Sequence, residues 1–207
     1  MTMGGTAMYE RFALSHHVPA LVLEAVAVAK RLEFDLTVHP ATGRLLASLA
    51  GGITDGVIGE TGTGTGAGVA WMLSAASAGT RIVSIELDDD RAGAAADLLG
   101  GQPNATILHG EANELADHGP FDLLVLDAPS TPGSLDRATL DPRRQLRPNG
   151  LLVKDDLWPM TSWPPRAFDG SEDRVRMRWF EHPEMLTTEV VVAEGFAVQI
   201  ARRRPPR

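Results

Sequence analysis

Carboxylates stand where two apolar runs end. Asp127 closes Phe121-Asp122-Leu123-Leu124-Val125-Leu126, and Asp155-Asp156 close Gly150-Leu151-Leu152-Val153-Lys154. Ligand and catalytic residues of open α/β sheets gather at the carboxyl ends of strands, so all three acids can face one crevice. Hard oxygen ligands of this kind suit Mg²⁺ or a similar divalent cation. Neighbouring strand residues point to opposite faces, so Asp155 and Asp156 can share an ion only if the chain turns at once. The alternative is two solvated loop acids with Lys154 as a partner. Without a cation, three clustered carboxylates push at least one pKa up.

The second constellation is Val57-Ile58-Gly59-Glu60-Thr61-Gly62-Thr63-Gly64-Thr65-Gly66-Ala67-Gly68. An apolar run ends in an acid, glycine then recurs at every second position, and Val69-Ala70-Trp71-Met72-Leu73 begins a helical pattern. Glycines serve where the backbone takes positive φ or where a ligand must approach the main chain. Arg81-Ile82-Val83-Ser84-Ile85 follows and ends in Glu86, the place of a ribose-binding acid. A carboxylate has only acceptor sites and a ribose diol offers two donors. The competing reading of Glu86-Leu87-Asp88-Asp89-Asp90 is an acidic helix start favoured by the helix dipole.

These residues need a scaffold, and the pattern from Val57 onward supplies one by alternating strand and helix. Expected strands are Val57–Gly59, Arg81–Glu86, Thr106–Leu108, Phe121–Leu126 and Gly150–Lys154. Expected helices lie at about 66–78, 89–99, 113–116 and 134–146. Near-continuous apolar runs with helical crossovers predict a parallel sheet covered on both faces. The tail breaks the alternation: a helix capped around Ser171–Asp173 runs to Glu181, and Glu189–Ala193 and Phe196–Ala201 form an antiparallel hairpin through Glu194-Gly195. Ahead of the first strand, Pro19 sits at a first helical position, with Leu21, Val22, Ala25, Val26, Ala29 and Leu32 on one face. A second helix, capped at Thr42 or the turn before it, spans Gly43–Leu49. Residues up to about Leu14 carry no clear period.

Composition narrows the function classes. With 207 residues, 43% of them hydrophobic, one buried core and one domain are expected, its first fifty residues helical and the α/β core running from about 55 to the end. A net charge of −8 argues against a nucleic-acid footprint, and the closing Arg202-Arg203-Arg204-Pro205-Pro206-Arg207 reads as a solvated tail. There are no cysteines, which rules out disulfides and thiolate metal sites. The longest apolar run, Val18–Ala29, is interrupted by Glu24 and too short for a bilayer. A soluble, cytoplasmic protein is expected.

Two cofactor classes use a strand, glycine turn and acid: nicotinamide dinucleotides and S-adenosylmethionine. Gly62-x-Gly64-x-x-Ala67 satisfies the dinucleotide pattern, but Glu60 would repel a pyrophosphate and suits the charged amino-acid end of S-adenosylmethionine. The helices before the first strand and the closing hairpin argue the same way. From about Val38 to Arg202, the chain resembles the class I S-adenosylmethionine-dependent methyltransferases, and among them the catechol and caffeoyl-coenzyme A type O-methyltransferases. The match is carried by Glu60-x-Gly62-x-Gly64-x-Gly66 and Glu86-Leu87. The resemblance implies a Rossmann-like, seven-stranded, mostly parallel sheet. It also implies that Glu60, Gly62, Gly64 and Gly68 line the methionine end, that Glu86 takes the two ribose hydroxyls, that Gly110, Glu111 and Ala112 lie beside the adenine, and that Val38, Thr63 and Leu87 also contact the cofactor. Asp127 would border the cofactor and act in catalysis, and Asp127, Asp155 and Asp156 would hold a divalent metal that binds a small hydroxylated aromatic acceptor.

The chain also departs from that family. Asp156 stands where an asparagine is expected, adding a negative charge. Asp127 is followed by Ala128-Pro129-Ser130-Thr131-Pro132 with no lysine for a general base; Lys30 and Lys154 are the chain's two lysines. A homologue that binds the cofactor but lacks the chemistry is therefore a rival reading, beside an NAD(P)-dependent oxidoreductase. Trp158, Trp163 and Phe168, in a proline-rich loop over 158–170, read equally as a lid on a flat acceptor or as a homodimer contact. His109, His118 and His182 read as surface or turn residues, and Met177, Trp179 and Phe180 as helix core.

Overall fold

The computed structural model describes residues 4–10, 17–128, 140–167 and 169–205. Five strands form its parallel part: β1 (Val57–Thr61), β2 (Arg81–Glu86), β3 (Ala105–His109), β4 (Phe121–Leu126) and β5 (Leu146–Leu157). β6 (Met185–Ala193) and β7 (Phe196–Arg203) complete a seven-stranded sheet in the order β3-β2-β1-β4-β5-β7-β6. β7 pairs antiparallel with both β5 and β6, so the expected closing hairpin is present. Gly195 turns that hairpin at φ +77°, a conformation that glycine adopts without Cβ strain.

Alternating side chains on each strand bury into two layers, which is why the strands read as continuous apolar runs. Ile82, Leu123, Val125 and Val153 face one core with Val22, Val26, Leu46, Val69 and Trp71. Val83, Leu124, Leu126 and Leu152 face the other, with Leu115, Leu146 and Trp179. The first layer contains α1 (Ala20–Arg31), α2 (Pro40–Ala50) and α3 (Ala67–Leu73). Among the described residues the remaining helices are α4 (Asp89–Leu99), the single turn α5 (Pro142–Gln145) and α6 (Arg174–Glu181), with 3₁₀ helices at Thr6–Met8 and Ala112–His118. Among the described residues, no helix is long and apolar enough to cross a membrane.

Several expected boundaries move for physical reasons. Pro19 precedes α1 rather than beginning it, and Leu32 lies past its end, exposed. α2 starts at Pro40, because the His39 imidazole Nδ1 accepts the Ala41 N–H at 3.1 Å. Thr42 is thus no cap: it lies buried within the helix, with its hydroxyl 3.5 Å from Asp155 Oδ1. α3 is shorter than its apolar pattern suggests, and the strands are longer: β1 continues through Thr61, β3 adds a residue at each end, and β5 begins at Leu146. Leu146 therefore does not end a helix, and residues 134–139 of that expected helix lie outside the described residues. α6 begins at Arg174, capped by Asp173, whose Oδ1 accepts the Arg176 N–H at 2.9 Å. Met177 and Trp179 are buried as expected of helix core.

The segment before α1 had no readable period, yet its described part is packed. Tyr9 is buried, its hydroxyl donating to the Val38 carbonyl at 3.0 Å and accepting from Trp71 Nε1 at 2.8 Å. Thr6 Oγ1 donates to the Phe34 carbonyl at 2.9 Å, and the Thr6 N–H to the Asp35 carbonyl at 3.2 Å. These bonds fix the loop between α1 and α2.

The excursion after β5 is held by a buried ion pair. Arg176 Nη1 meets Glu189 Oε2 and the Trp158 carbonyl, each at 3.1 Å, and Glu189 Oε1 accepts the Met160 N–H at 2.7 Å. The side chains of Arg176 and Glu189 are only 6% and 3% exposed. Removing one partner of such a pair strands the other charge, whereas replacing both with apolar groups does not. Arg176→Ala is expected to lower the free energy of unfolding by about 3–5 kcal/mol, read by urea titration, with much of the loss recovered in Arg176→Met combined with Glu189→Leu.

Candidate active site

Parity along the strands decides which acids meet. Ile58, Ile82, Leu123 and Val153 all face the α1–α3 layer, so the residues two further on, Glu60, Ser84, Val125 and Asp155, face it too. Glu86 and Asp127 follow by one more step of two. The sheet therefore gathers Glu60, Glu86, Asp127 and Asp155 on one face at the carboxyl ends of β1, β2, β4 and β5.

Glu60 is buried at the floor of this group. Ser84 Oγ donates to its Oε2 at 2.6 Å, and Ser84 Oγ is in turn 2.6 Å from Thr63 Oγ1. Burial pushes the Glu60 carboxyl up to about 8; the Ser84 hydrogen bond opposes the shift, and the charges of Glu86 and Asp155 add to it. A Cβ at position 68 would lie 2.2 Å from Glu60 Oε1, so the first turn of α3 can pack on this acid only with glycine there.

The turn between β1 and α3 carries positive φ at Gly62, Gly64 and Gly66. Gly62 and Thr63 N–H groups both donate to the Ile85 carbonyl, at 2.9 and 3.3 Å. A Cβ on Gly62 would come within 2.8 Å of the Ala128 nitrogen and 2.9 Å of the Asp127 carbonyl carbon. The glycine turn thus lies directly against the chain that presents Asp127, joining the two constellations into one crevice.

Asp127, Asp155 and Asp156 converge, with one carboxylate oxygen of each within 4.8 Å of the others. The turn that this convergence requires is present: Asp156 has φ +60°, and the β5–β7 register shifts between Lys154 and Leu157. Asp155 is buried and Asp156 is exposed at the rim. Burial raises Asp127 well above the ordinary carboxylate range, with Asp155, Asp156 and Glu60 adding repulsion. Asp155 is raised to about 7 by burial and then by Asp156, and Asp156 is raised in the same sense. The positive charge of Lys154 opposes all three shifts. Three hard oxygen donors in repulsion fit an oxygen-preferring divalent cation.

The remaining expected residues surround this centre. Val38 is buried, with its carbonyl taken by Tyr9. Leu87 is 68% exposed beside Glu86, and its carbonyl lies 3.2 Å from His109 Nε2. The Gly110 N–H donates to the Glu86 carbonyl at 2.9 Å. Glu111 caps the 3₁₀ helix in a reciprocal box with Glu114, and Ala112 is the first residue of that helix. His109 ends β3 with its side chain exposed, His118 ends the 3₁₀ helix half-buried, and burial lowers the pKa of His182. Trp158 packs across Gly195, whose Cβ would lie 3.3 Å from the indole, and Trp163 meets Phe180 edge-on at 5.2 Å. Pro129–Pro132 and Phe168 lie outside the described residues.

Sequence reasoning missed Arg91 and Phe34. The Arg91 guanidinium reaches Glu86 Oε1 at 2.9 Å and sits over the Phe34 ring at 4.9 Å. The position of Arg91 one helical turn past the Asp88 cap was visible; the loop that delivers Phe34 was not. His39 was missed as well: buried and stacked on Phe196 at 4.2 Å, it has its pKa lowered by burial.

Comparison with known proteins agrees with this geometry. The sequence profile of a methyltransferase-domain family matches residues 60–157, which spans every acid in the crevice. No curated protein matches in sequence. Among solved structures, the O-methyltransferase TomG of Streptomyces achromogenes, involved in tomaymycin synthesis and determined with S-adenosylmethionine, superposes with a TM-score of 0.72 at 19% identity, covering 99% of this chain and 100% of that one. An O-methyltransferase from Bacillus cereus in complex with S-adenosylhomocysteine gives 0.75 at 20% identity over 97% and 98%. The cofactor-bound Rv0187 from MTB gives 0.76 at 20% identity over 100% of both. Residues 60–157 thus resemble a methyltransferase domain, and the whole chain shares the Rossmann-like fold and seven-stranded sheet of these solved structures.

Proposed function

We propose that the protein transfers the methyl group of S-adenosylmethionine to a hydroxyl oxygen of a small, catechol-like aromatic acceptor, with a divalent cation held by Asp127, Asp155 and Asp156. The observation that carries this reading is the convergence of those three carboxylates within 4.8 Å, against the glycine turn and on the same sheet face as Glu60 and Glu86.

When bound, the cofactor supplies a methyl group on a cationic sulfonium, and a divalent cation acidifies a hydroxyl that it touches. The chain's own residues then have separable roles. Glu60 offers a carboxyl to the ammonium of the methionine end, and Glu86 offers acceptor sites to the ribose hydroxyls. Leu87 and the backbone of Gly110, Glu111 and Ala112 flank the adenine; Glu111 contributes through its backbone, because its side chain already caps a helix. Asp127, Asp155 and Asp156 bring the acceptor oxygen beside the turn, so that orientation supplies much of the rate of an in-line displacement. Trp158, Met160 and Trp163 present exposed apolar surface in the excursion that follows Asp156, and we assign them the role of covering a flat acceptor ring. Lys154 falls on the opposite side of β5 in the strand alternation, so we assign it the role of offsetting the three acids rather than of a base.

Three outcomes test this reading. By calorimetry, Glu86→Ala is expected to weaken S-adenosylhomocysteine binding about tenfold or more and to leave Mn²⁺ binding intact. Asp155→Ala is expected to do the reverse, abolishing Mn²⁺ binding and catechol methylation while cofactor affinity changes little. Equal loss of both ligands in either variant would mean that the two sites are wrongly divided. The third outcome follows from the raised pKa of Glu60: between about 4.5 and 8 the folded chain binds a proton that the unfolded chain does not, so this group's contribution to stability declines as pH rises through that window. Glu60→Gln should match the wild type at pH 5 and exceed it by a few kcal/mol at pH 8, measured by chemical denaturation.

A further inference from the structure

Glu86 already holds three donors. Its Oε2 accepts the Gly64 N–H at 2.7 Å, while Oε1 accepts the Asp88 N–H at 3.1 Å and Arg91 Nη2 at 2.9 Å. A carboxylate has about four acceptor sites, and a ribose diol brings two donors. One of the three present donors must therefore leave before a diol can be gripped through both hydroxyls.

The donors differ in how freely they can go. The Gly64 N–H is fixed by the glycine turn, and the Asp88 N–H by the cap of α4, where Asp88 Oδ1 accepts the Arg91 N–H at 3.0 Å. Arg91 is a flexible side chain, 30% exposed, with a second acid already beside it: its Nη1 lies 3.4 Å from Asp88 Oδ2. Its guanidinium also rests on Phe34, and Phe34 lies over the turn itself, its Cε1 2.9 Å from where a Cβ of Gly64 would be. Thr6, bonded to the Phe34 carbonyl, holds that ring in place from the N-terminal segment.

We propose that Arg91 competes with the cofactor's ribose for Glu86, so that it limits cofactor affinity: the diol displaces the guanidinium from Glu86 and leaves it paired with Asp88. This rests on the reading of Glu86 as the ribose acid. Removing the guanidinium should then tighten binding, the opposite of what loss of a positioning or structural arginine would do.

The test is calorimetric titration of S-adenosylhomocysteine and of its 2′-deoxy analogue into wild type, Arg91→Met, Arg91→Gln and Glu86→Ala, with the melting temperature of each protein recorded. Arg91→Met keeps an apolar stem over Phe34. Both Arg91 variants are expected to bind S-adenosylhomocysteine about fivefold more tightly, the scale of a partly exposed ion pair, with a smaller gain for the deoxy analogue. Unchanged or weaker binding in folded Arg91 variants, or an equal gain for both ligands, overturns the inference while Glu86→Ala can still uphold the ribose acid. Failure of the wild type to bind S-adenosylhomocysteine overturns both.

Discussion

Like charges buried together are the constraint on which this structure turns. Glu60, Glu86, Asp127 and Asp155 share one face of one sheet, and Asp156 joins them at the rim. Confined in a crevice of low polarizability, such groups either keep protons or find cations. Glu60, Asp127, Asp155 and Asp156 are accordingly shifted toward their protonated forms, while Glu86 is satisfied by backbone N–H groups and Arg91. The proposed ligands, a zwitterion carrying a sulfonium and a divalent metal ion, answer this demand. The same acids would be a poor cradle for a diphosphate.

The scaffold exists to keep those acids close without collapse. Strand alternation brings them to one side, glycines at 62 and 68 let main chain press against Asp127 and Glu60, and the left-handed turn at Asp156 swings a neighbouring residue round to its partner's side. The Arg176–Glu189 pair then holds the chain leaving that turn. Each device places main chain or charge where a side chain of ordinary geometry would not fit.

Much of this was legible in the sequence. Apolar runs that end in acids located the edge of the sheet where the carboxylates gather, because a buried parallel strand has to be apolar until it reaches the crevice. The hairpin was legible from Glu194-Gly195. Helix limits were less so: nothing in Val38-His39-Pro40 announces that an imidazole will cap α2, and the outcome left Thr42 facing Asp155. The turn at Asp156 was legible only as a requirement, since an aspartate at positive φ carries no sequence signal. The contacts of Tyr9 with Val38 and Trp71, and of Phe34 with Arg91, were invisible because they join segments tens of residues apart. They arise from packing, with no periodicity to betray them.

Burial and mutual repulsion shift Glu60, Asp127, Asp155 and Asp156 toward their protonated forms, and proton exchange on binding of cationic ligands reports this directly. Titrating S-adenosylmethionine into the protein at pH 7, in buffers of different ionisation enthalpy, separates the heat of binding from that of proton transfer. The account predicts net proton release on binding, increased further when Mg²⁺ is added. Binding with no proton exchange, or with proton uptake, would contradict it.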